Sequence, residues 1–306
     1  MKTLFTFILC LAMAGFVFAA SNSATISTTG SGNTASASQT GSSNAATIEQ
    51  IANTSTATQI QDGSGNVADL DQKGGWPAGS TVVGETGAQE QHGNNNQATL
   101  WQLADGGNGG NTGTQYQEGN TNKVTAWQHT VSSTVDQDQI GNSNEANSYQ
   151  TGFNGYVRQV QDGTANIAVV DEQGGGGWVV GNTAIETQTG RWNTATIVQY
   201  GTGGAKNAQG NYAEVTQTGD DNKTGKGLFS NHDFGIYQAG NYNTASVTQN
   251  LNVNKSDVDQ LGDSNTASVV QNGGTGLFGD YGDFVNKATV MQNGTGNNAT
   301  VNQTYP

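Results

Sequence analysis

A twelve-residue frame, Gln-x-Gly-x-x-Asn-x-Ala-x-x-x-Gln, returns along the whole chain and limits what it can become. It reads QTGSSNAATIEQ at 39–50, QAGNYNTASVTQ at 238–249 and QLGDSNTASVVQ at 260–271. Full frames open at Gln39, Gln61, Gln91, Gln117, Gln139, Gln161, Gln188, Gln217, Gln238, Gln260 and Gln292. Their glycines are Gly41, Gly63, Gly93, Gly119, Gly141, Gly163, Gly190, Gly219, Gly240, Gly262 and Gly294. Their asparagines are Asn44, Asn66, Asn96, Asn122, Asn144, Asn166, Asn193, Asn222, Asn243, Asn265 and Asn297. The alanine gives way to Val124 and Thr224, and the closing glutamine to Glu172 and Leu228. Such periodicity marks stacked repeats, each too small to bury a core alone.

Only 33% of the 306 residues are hydrophobic and 11% are charged, which is too little apolar material for one large core. A disordered polar chain shares that composition, but disorder places no demand on position. The strict spacing therefore points to a repeat fold with a partly polar interior.

Alternation supplies the secondary structure. Asn243, Ala245, Val247 and Gln249 point one way while Thr244, Ser246 and Thr248 point the other, as in a strand with one buried face. Asn44, Ala46, Ile48 and Gln50 repeat the inward set. The residues between strands carry the glycine, which permits a tight bend. Each frame is thus strand, turn, strand, with its two strands in facing sheets. The expected fold is an all-β β-solenoid of about eleven two-stranded rungs in two facing parallel sheets. Frames follow at intervals of eleven, as from Gln50 to Gln61, or at longer ones, as from Gln72 to Gln91, Gln199 to Gln217 and Gln271 to Gln292. Insertions at every second turn predict loops on one edge. Their aromatics, Trp76, Trp178, Phe278, Tyr281 and Phe284, are expected to fold over the sheet edge.

The pairing of like with like also rationalises a polar interior. An unpaired buried amide costs several kcal/mol, but identical Gln or Asn side chains stacked at about 4.8 Å can donate to one neighbour and accept from the other. The frame glutamines and asparagines are therefore expected to form ladders. The mid-strand inward site holds Gln59, Gln89, Gln115, Gln137, Gln159 and Glu186, then Val215, Ile236, Val258 and Val290, which predicts a more polar interior in the N-terminal half.

Residues 1–20, MKTLFTFILCLAMAGFVFAA, resemble a secretory signal peptide: one lysine, an apolar run, then small residues. Residues 21–306 then form the repeat solenoid. The single cysteine, Cys10, falls in the leader, so disulfides play no part. A formal net charge of −14 argues against nucleic acid as a partner.

Little in the sequence converges on chemistry. His92, His129 and His232 fall in different rungs without metal-ligand spacing, so no catalytic, cofactor or metal site is expected. The outward pairs Asp69/Asp71, Asp136/Asp138 and Asp257/Asp259 serve best as solvated charges. Trp101, Trp127 and Tyr149 share one outward site in three successive rungs. Such a patch suits a surface ligand such as a matrix polysaccharide, or simply stabilises its own sheet. Thr34, Thr56, Thr86, Thr112 and Thr134 share another outward site, leaving an ice-binding face as a distant alternative.

The frame resembles the curlin repeat, Ser-x5-Gln-x-Gly-x-x-Asn-x-Ala-x-x-x-Gln, with Ser55 and Ser133 at its first position here. The likeness covers nearly all of the chain after residue 20. It implies a subunit of curli, the bacterial functional amyloid: a secreted, non-enzymatic protein that polymerises with itself into extracellular fibres of biofilm matrix, giving adhesion and surface attachment. The regular, uncharged last frame favours the major polymer-forming subunit over a minor nucleator. A nucleator subunit and an outer-membrane secretion channel are the implied partners. Rung-like sequence running from Asn22 to Gln303 is expected to leave each end able to accept another copy.

Overall fold

The computed structural model describes residues 21–74, 84–104, 110–174, 181–201, 210–225, 235–273 and 286–304. Those residues form 23 β-strands and no helix, and they divide into two units at Asn142/Ser143. Both units are built as parallel β-solenoid. The proposed leader, the loop aromatics Trp76, Trp178, Phe278, Tyr281 and Phe284, and Leu228 lie outside the described residues.

The first unit contains β1 (Ser23–Thr29), β2 (Thr34–Ser42), β3 (Ala45–Ile51), β4 (Thr56–Ser64), β5 (Val67–Gly74), β6 (Thr86–Asn94), β7 (Gln97–Ala104), β8 (Thr112–Asn120), β9 (Lys123–Val131) and β10 (Thr134–Asn142). Odd strands pair in the order β1-β3-β5-β7-β9 and even strands in the order β2-β4-β6-β8-β10, parallel throughout. Register is set by the side-chain period of two, because a one-residue slip would turn every inward residue to solvent. Ile26, Ile48, Leu70, Leu100 and Ala126 therefore fall in one column of the odd sheet. From Ile48 onward that column is completely buried.

The second unit contains β11 (Glu145–Phe153), β12 (Tyr156–Thr164), β13 (Ile167–Gly174), β14 (Thr183–Arg191), β15 (Thr194–Gly201), β16 (Tyr212–Asp220), β17 (Lys223–Thr224), β18 (Ile236–Ala239), β19 (Thr244–Asn250), β20 (Asn254–Leu261), β21 (Thr266–Asn272), β22 (Asn286–Asn293) and β23 (Asn298–Thr304). One sheet runs β12-β14-β16-β19-β21-β23. The other runs β11-β13-β15, then β17 and β18, then β20 and β22. The short strands β17 and β18 both lie between β15 and β20, so they are one strand of the solenoid interrupted by residues 226–234.

That interruption corrects the frame count at this point. The residue that closes the frame opened by Gln217 is Gln238, in register with Gln199, and not Leu228. Beyond it, Gln238–Gln249 connects β18 to β19, the reverse of the connection made by Gln188–Gln199 from β14 to β15. The insertions consequently do not all share one edge: 202–209 lead from β15 to β16, 274–285 lead back from β21 to β22, and 226–234 split a strand. Two column assignments change with it. Ile236, Val258 and Val290 continue the column of Ile197, while Val215 is followed by Val247, Val269 and Val301. The change from amide to valine at the mid-strand site still falls between Glu186 and Val215.

The frame glycine is required twice over. Gly63 has φ of 123°, a region open essentially to glycine alone, and a Cβ built there would lie 1.9 Å from the carbonyl oxygen of Gly93 in the next turn. Gly65, two residues on, differs: its φ of 69° matches that of Asn95, 56°, at the equivalent position of the next turn. Gly63→Ala should therefore destabilise the folded chain by at least about 2 kcal/mol. Gly65→Asn should stay within about 1 kcal/mol of the parent in the same denaturant titration.

Candidate functional site

The glutamine columns link the turns of the first unit. Gln39 donates from Nε2 to Oε1 of Gln61 (2.7 Å), Gln61 to Gln91 (2.8 Å), Gln91 to Gln117 (2.8 Å) and Gln117 to Gln139 (3.0 Å). The closing glutamines do the same, from Gln50 to Gln72, Gln102 and Gln128 at 2.8–2.9 Å. A third column, Gln59–Gln89–Gln115–Gln137, runs through the middle of the even sheet. In each column the remaining N–H crosses the interior to a carbonyl of the facing sheet, as from Gln61 to Ala45 (3.0 Å) and from Gln89 to Asp69 (2.9 Å). An amide such as Gln61 or Gln89 thus ties successive turns together and braces the two sheets at once. Leaving such a group unpaired would cost about 1–3 kcal/mol.

In the second unit Gln161, Gln188 and Gln217 continue to Gln249, Gln271 and Gln303. The frame-opening Gln238, Gln260 and Gln292 belong instead to the opposite column, following Gln199. Gly163, Gly190 and Gly219 stack on one edge while Gly240, Gly262 and Gly294 stack on the other. The asparagines divide in the same way. Asn166, Asn193 and Asn222 lead to Asn254, whereas Asn243, Asn265 and Asn297 follow Asn211. The physical reason is that the turn makes the same demands in either direction, so the frame serves both edges.

The asparagines are built differently from the glutamines. Asn96 donates from Nδ2 to the carbonyls of His92 (3.1 Å) and Gly119 (2.9 Å), and its Oδ1 accepts from the backbone N–H of Asn122 (3.0 Å). It therefore pins its own turn and fastens it to the next through the backbone. Side-chain contacts between asparagines occur in the second unit, as from Asn193 to Asn166 at 3.1 Å. An amide ladder describes the glutamines better than it describes these turn staples.

Buried acids interrupt the amide pattern, and of these only Glu172 falls at a fixed position of the twelve-residue frame. Glu172 receives Nε2 of Gln150 at 3.0 Å, and Glu186 receives that of Gln159 at 2.9 Å. Burial holds both carboxyls well above the usual range, against the lowering effect of those hydrogen bonds. Glu85, in the first unit, is pushed up to about 8 by burial. Asp257 is 4% exposed rather than solvated, and burial followed by the charge of Asp259 raises it to about 7.

On the outer face of the odd sheet Trp101 and Trp127 stack with ring centroids 4.8 Å apart and planes 28° apart. One face of each ring is therefore turned to its neighbour. Both are about 40% exposed, and with Asp71, Lys73, Leu103 and His129 they line a groove of about 250 Å³. Lys73 is held by Glu49 and Asp71, each at 2.9 Å. Tyr149 lies on β11 of the second unit, half-buried. Thr34, Thr56, Thr86, Thr112 and Thr134 form one outward column of the even sheet. The adjacent column reads Ser36, Thr58, Ala88, Thr114 and Asp136, which breaks a regular threonine array.

Residues 208–250 match the family model described as the curlin associated repeat. The matched stretch spans the point where the frame changes edges. No curated protein matches the chain.

Gln89→Leu would leave the Nε2 of Gln59, the Oε1 of Gln115 and the carbonyl of Asp69 without their partner. The expected loss in equilibrium unfolding is about 2–4 kcal/mol. Gln97→Leu, on the exposed face of β7, should change stability by less than about 0.5 kcal/mol.

Proposed function

We propose that this chain, a member of the curlin-repeat family, is a secreted structural subunit that assembles end to end into extracellular curli-like amyloid fibres. The observation that carries this proposal is the in-register parallel stacking of identical side chains, with strand edges open at two faces. Among the described residues β1 and β2 each pair on one side only, as do β22 and β23. Such an edge offers a row of backbone donors and acceptors to another strand. A second copy added there presents a fresh edge, and repeated addition of that kind makes an open filament.

In this proposal residues 21–306 form the fibre-building solenoid, and residues 1–20 direct export before removal. The product is a fibre at the bacterial surface that supports biofilm matrix, adhesion and attachment. The chain acts as the major polymer-forming subunit, with a nucleator subunit and an outer-membrane secretion channel as partners. The groove beside Trp101 and Trp127 is the place where a matrix polysaccharide would rest, since indole edges and aliphatic stems offer apolar contact beside charged groups.

Purified chain lacking residues 1–20 should polymerise unaided into thioflavin-positive fibres with a cross-β repeat of about 4.8 Å. A chain that stays monomeric at high concentration, yet seeds another subunit, would be a nucleator instead. Polysaccharide retention by the fibres should fall when Trp101 and Trp127 are both changed to Ser; unchanged retention removes the groove from the proposal.

A further inference from the structure

Two acids of the second unit stand where amides stand in the neighbouring turns. Glu172 on β13 lies in column between Gln150 and Gln199 and is 2% exposed. Gln150 donates to its Oε2, while the Nε2 of Gln199 is directed onward to Gln238 at 2.8 Å. Two enclosed oxygens remain, Oε1 of Glu172 and Oε1 of Gln199, and neither has a hydrogen-bond partner. They belong to successive residues of one column. At the other steps of that column an N–H fills the same gap, at 2.8 Å from Gln238 to Gln260 and from Gln260 to Gln292. A hydrogen on Oε1 of Glu172 would turn two orphaned acceptors into one O–H···O bond to Gln199.

Glu186 on β14 repeats the situation at the mid-strand site. Gln159 donates to its Oε2, its Oε1 has no partner, and the next residue in its column is Val215, which offers no donor. An ionised carboxylate enclosed there would keep its charge beside a valine, whereas the neutral acid buries far more cheaply.

No lysine, arginine or histidine is turned to this interior from β11, β12, β13, β14, β15 or β16 among the described residues. Among the described residues of these strands, the two glutamates are the only titratable groups facing it. Asp171, pointing outward beside Glu172, adds a further negative charge. Among the described residues, one amide donates to each carboxyl.

We propose that Glu172 and Glu186 are proton-binding sites built into the amide columns, each holding its proton in the folded chain, so that the second unit folds with uptake of protons. Burial raises both carboxyls in the folded state, while the unfolded chain ionises near the ordinary glutamate value of about 4.3. Stability from these groups is therefore fully present below that value. It is lost as the pH climbs from there through the raised folded values. Acid favours folding, and mild alkali opposes it. This acts on the folding of one chain and stands whether or not the chain polymerises.

The test compares the full chain with Glu172→Gln, Glu186→Gln and the double variant, by denaturant unfolding of the monomer between pH 5 and 8. Each retained glutamate should make the folding constant fall as the pH rises within that window, by at most about tenfold per pH unit. Each replacement should remove one such factor, and both should stabilise the chain at pH 8. Glu172→Gln also supplies the missing donor to Gln199. Isotope-edited infrared spectra of the unaltered chain at neutral pH should show the carbonyl band of protonated carboxyls, weaker in the double variant, where the raised Glu85 and Asp257 still contribute. Parallel pH profiles for parent and double variant would overturn the proposal. So would a folded parent chain without the acid band, a readout that needs no variant to fold. Failure to form fibres, with these results intact, would count against the assembly proposal alone.

Discussion

A buried amide needs partners for both its oxygen and its N–H groups, and this protein meets that need by placing another amide one strand spacing away. Parallel strands lie about 4.8 Å apart, a distance that lets Oε1 of one glutamine receive Nε2 of its neighbour at 2.7–3.0 Å. The second N–H then reaches the facing sheet, as from Gln61 to Ala45. Three consequences follow from that single bond pattern. The interior can be polar without being wet, the two sheets are fastened together, and the sequence must repeat because a column works only when its members match. The low apolar content, 33%, is thereby reconciled with an ordered fold.

The turns impose the other constraint. Glycines such as Gly63 approach the carbonyl of the next turn too closely for any side chain, and asparagines such as Asn96 pin the bend through backbone carbonyls on two levels. These requirements belong to the bend and are indifferent to which sheet the chain leaves. That is why the frame changes edges after Gln217 without changing its letters. The interruption at 226–234 passes one strand over to a second piece, and Gln238 takes its place under Gln260 as readily as Gln199 does above it.

Where a column loses its identity, chemistry appears. Val215, Val247 and Val269 replace the mid-strand amides with apolar contact, so the change costs no unpaired group beyond the last member, Glu186. Acids replace amides in shape while removing a donor, which leaves oxygens of Glu172 and Glu186 without a partner inside the solenoid. On the outer face the same spacing brings Trp101 onto Trp127, and the rings cover each other.

Much of this was legible without coordinates. Alternation placed Asn44, Ala46, Ile48 and Gln50 inward, and all four are buried; identical residues at a fixed period implied parallel stacking of like on like. The break at Thr224 was not legible, because Leu228 falls eleven residues after Gln217 and so sits where a closing residue is sought. Nor could the letters distinguish an asparagine that staples backbone from a glutamine that meets its own kind. By itself the sequence determined the period, the inward set and the residues that can share a column, since those depend on side-chain alternation and local turn geometry. Which sheet each frame enters, which carbonyl each amide reaches and which acids are sealed from water were decided only by the tertiary structure, because they depend on what lies one rung away in space rather than in the chain.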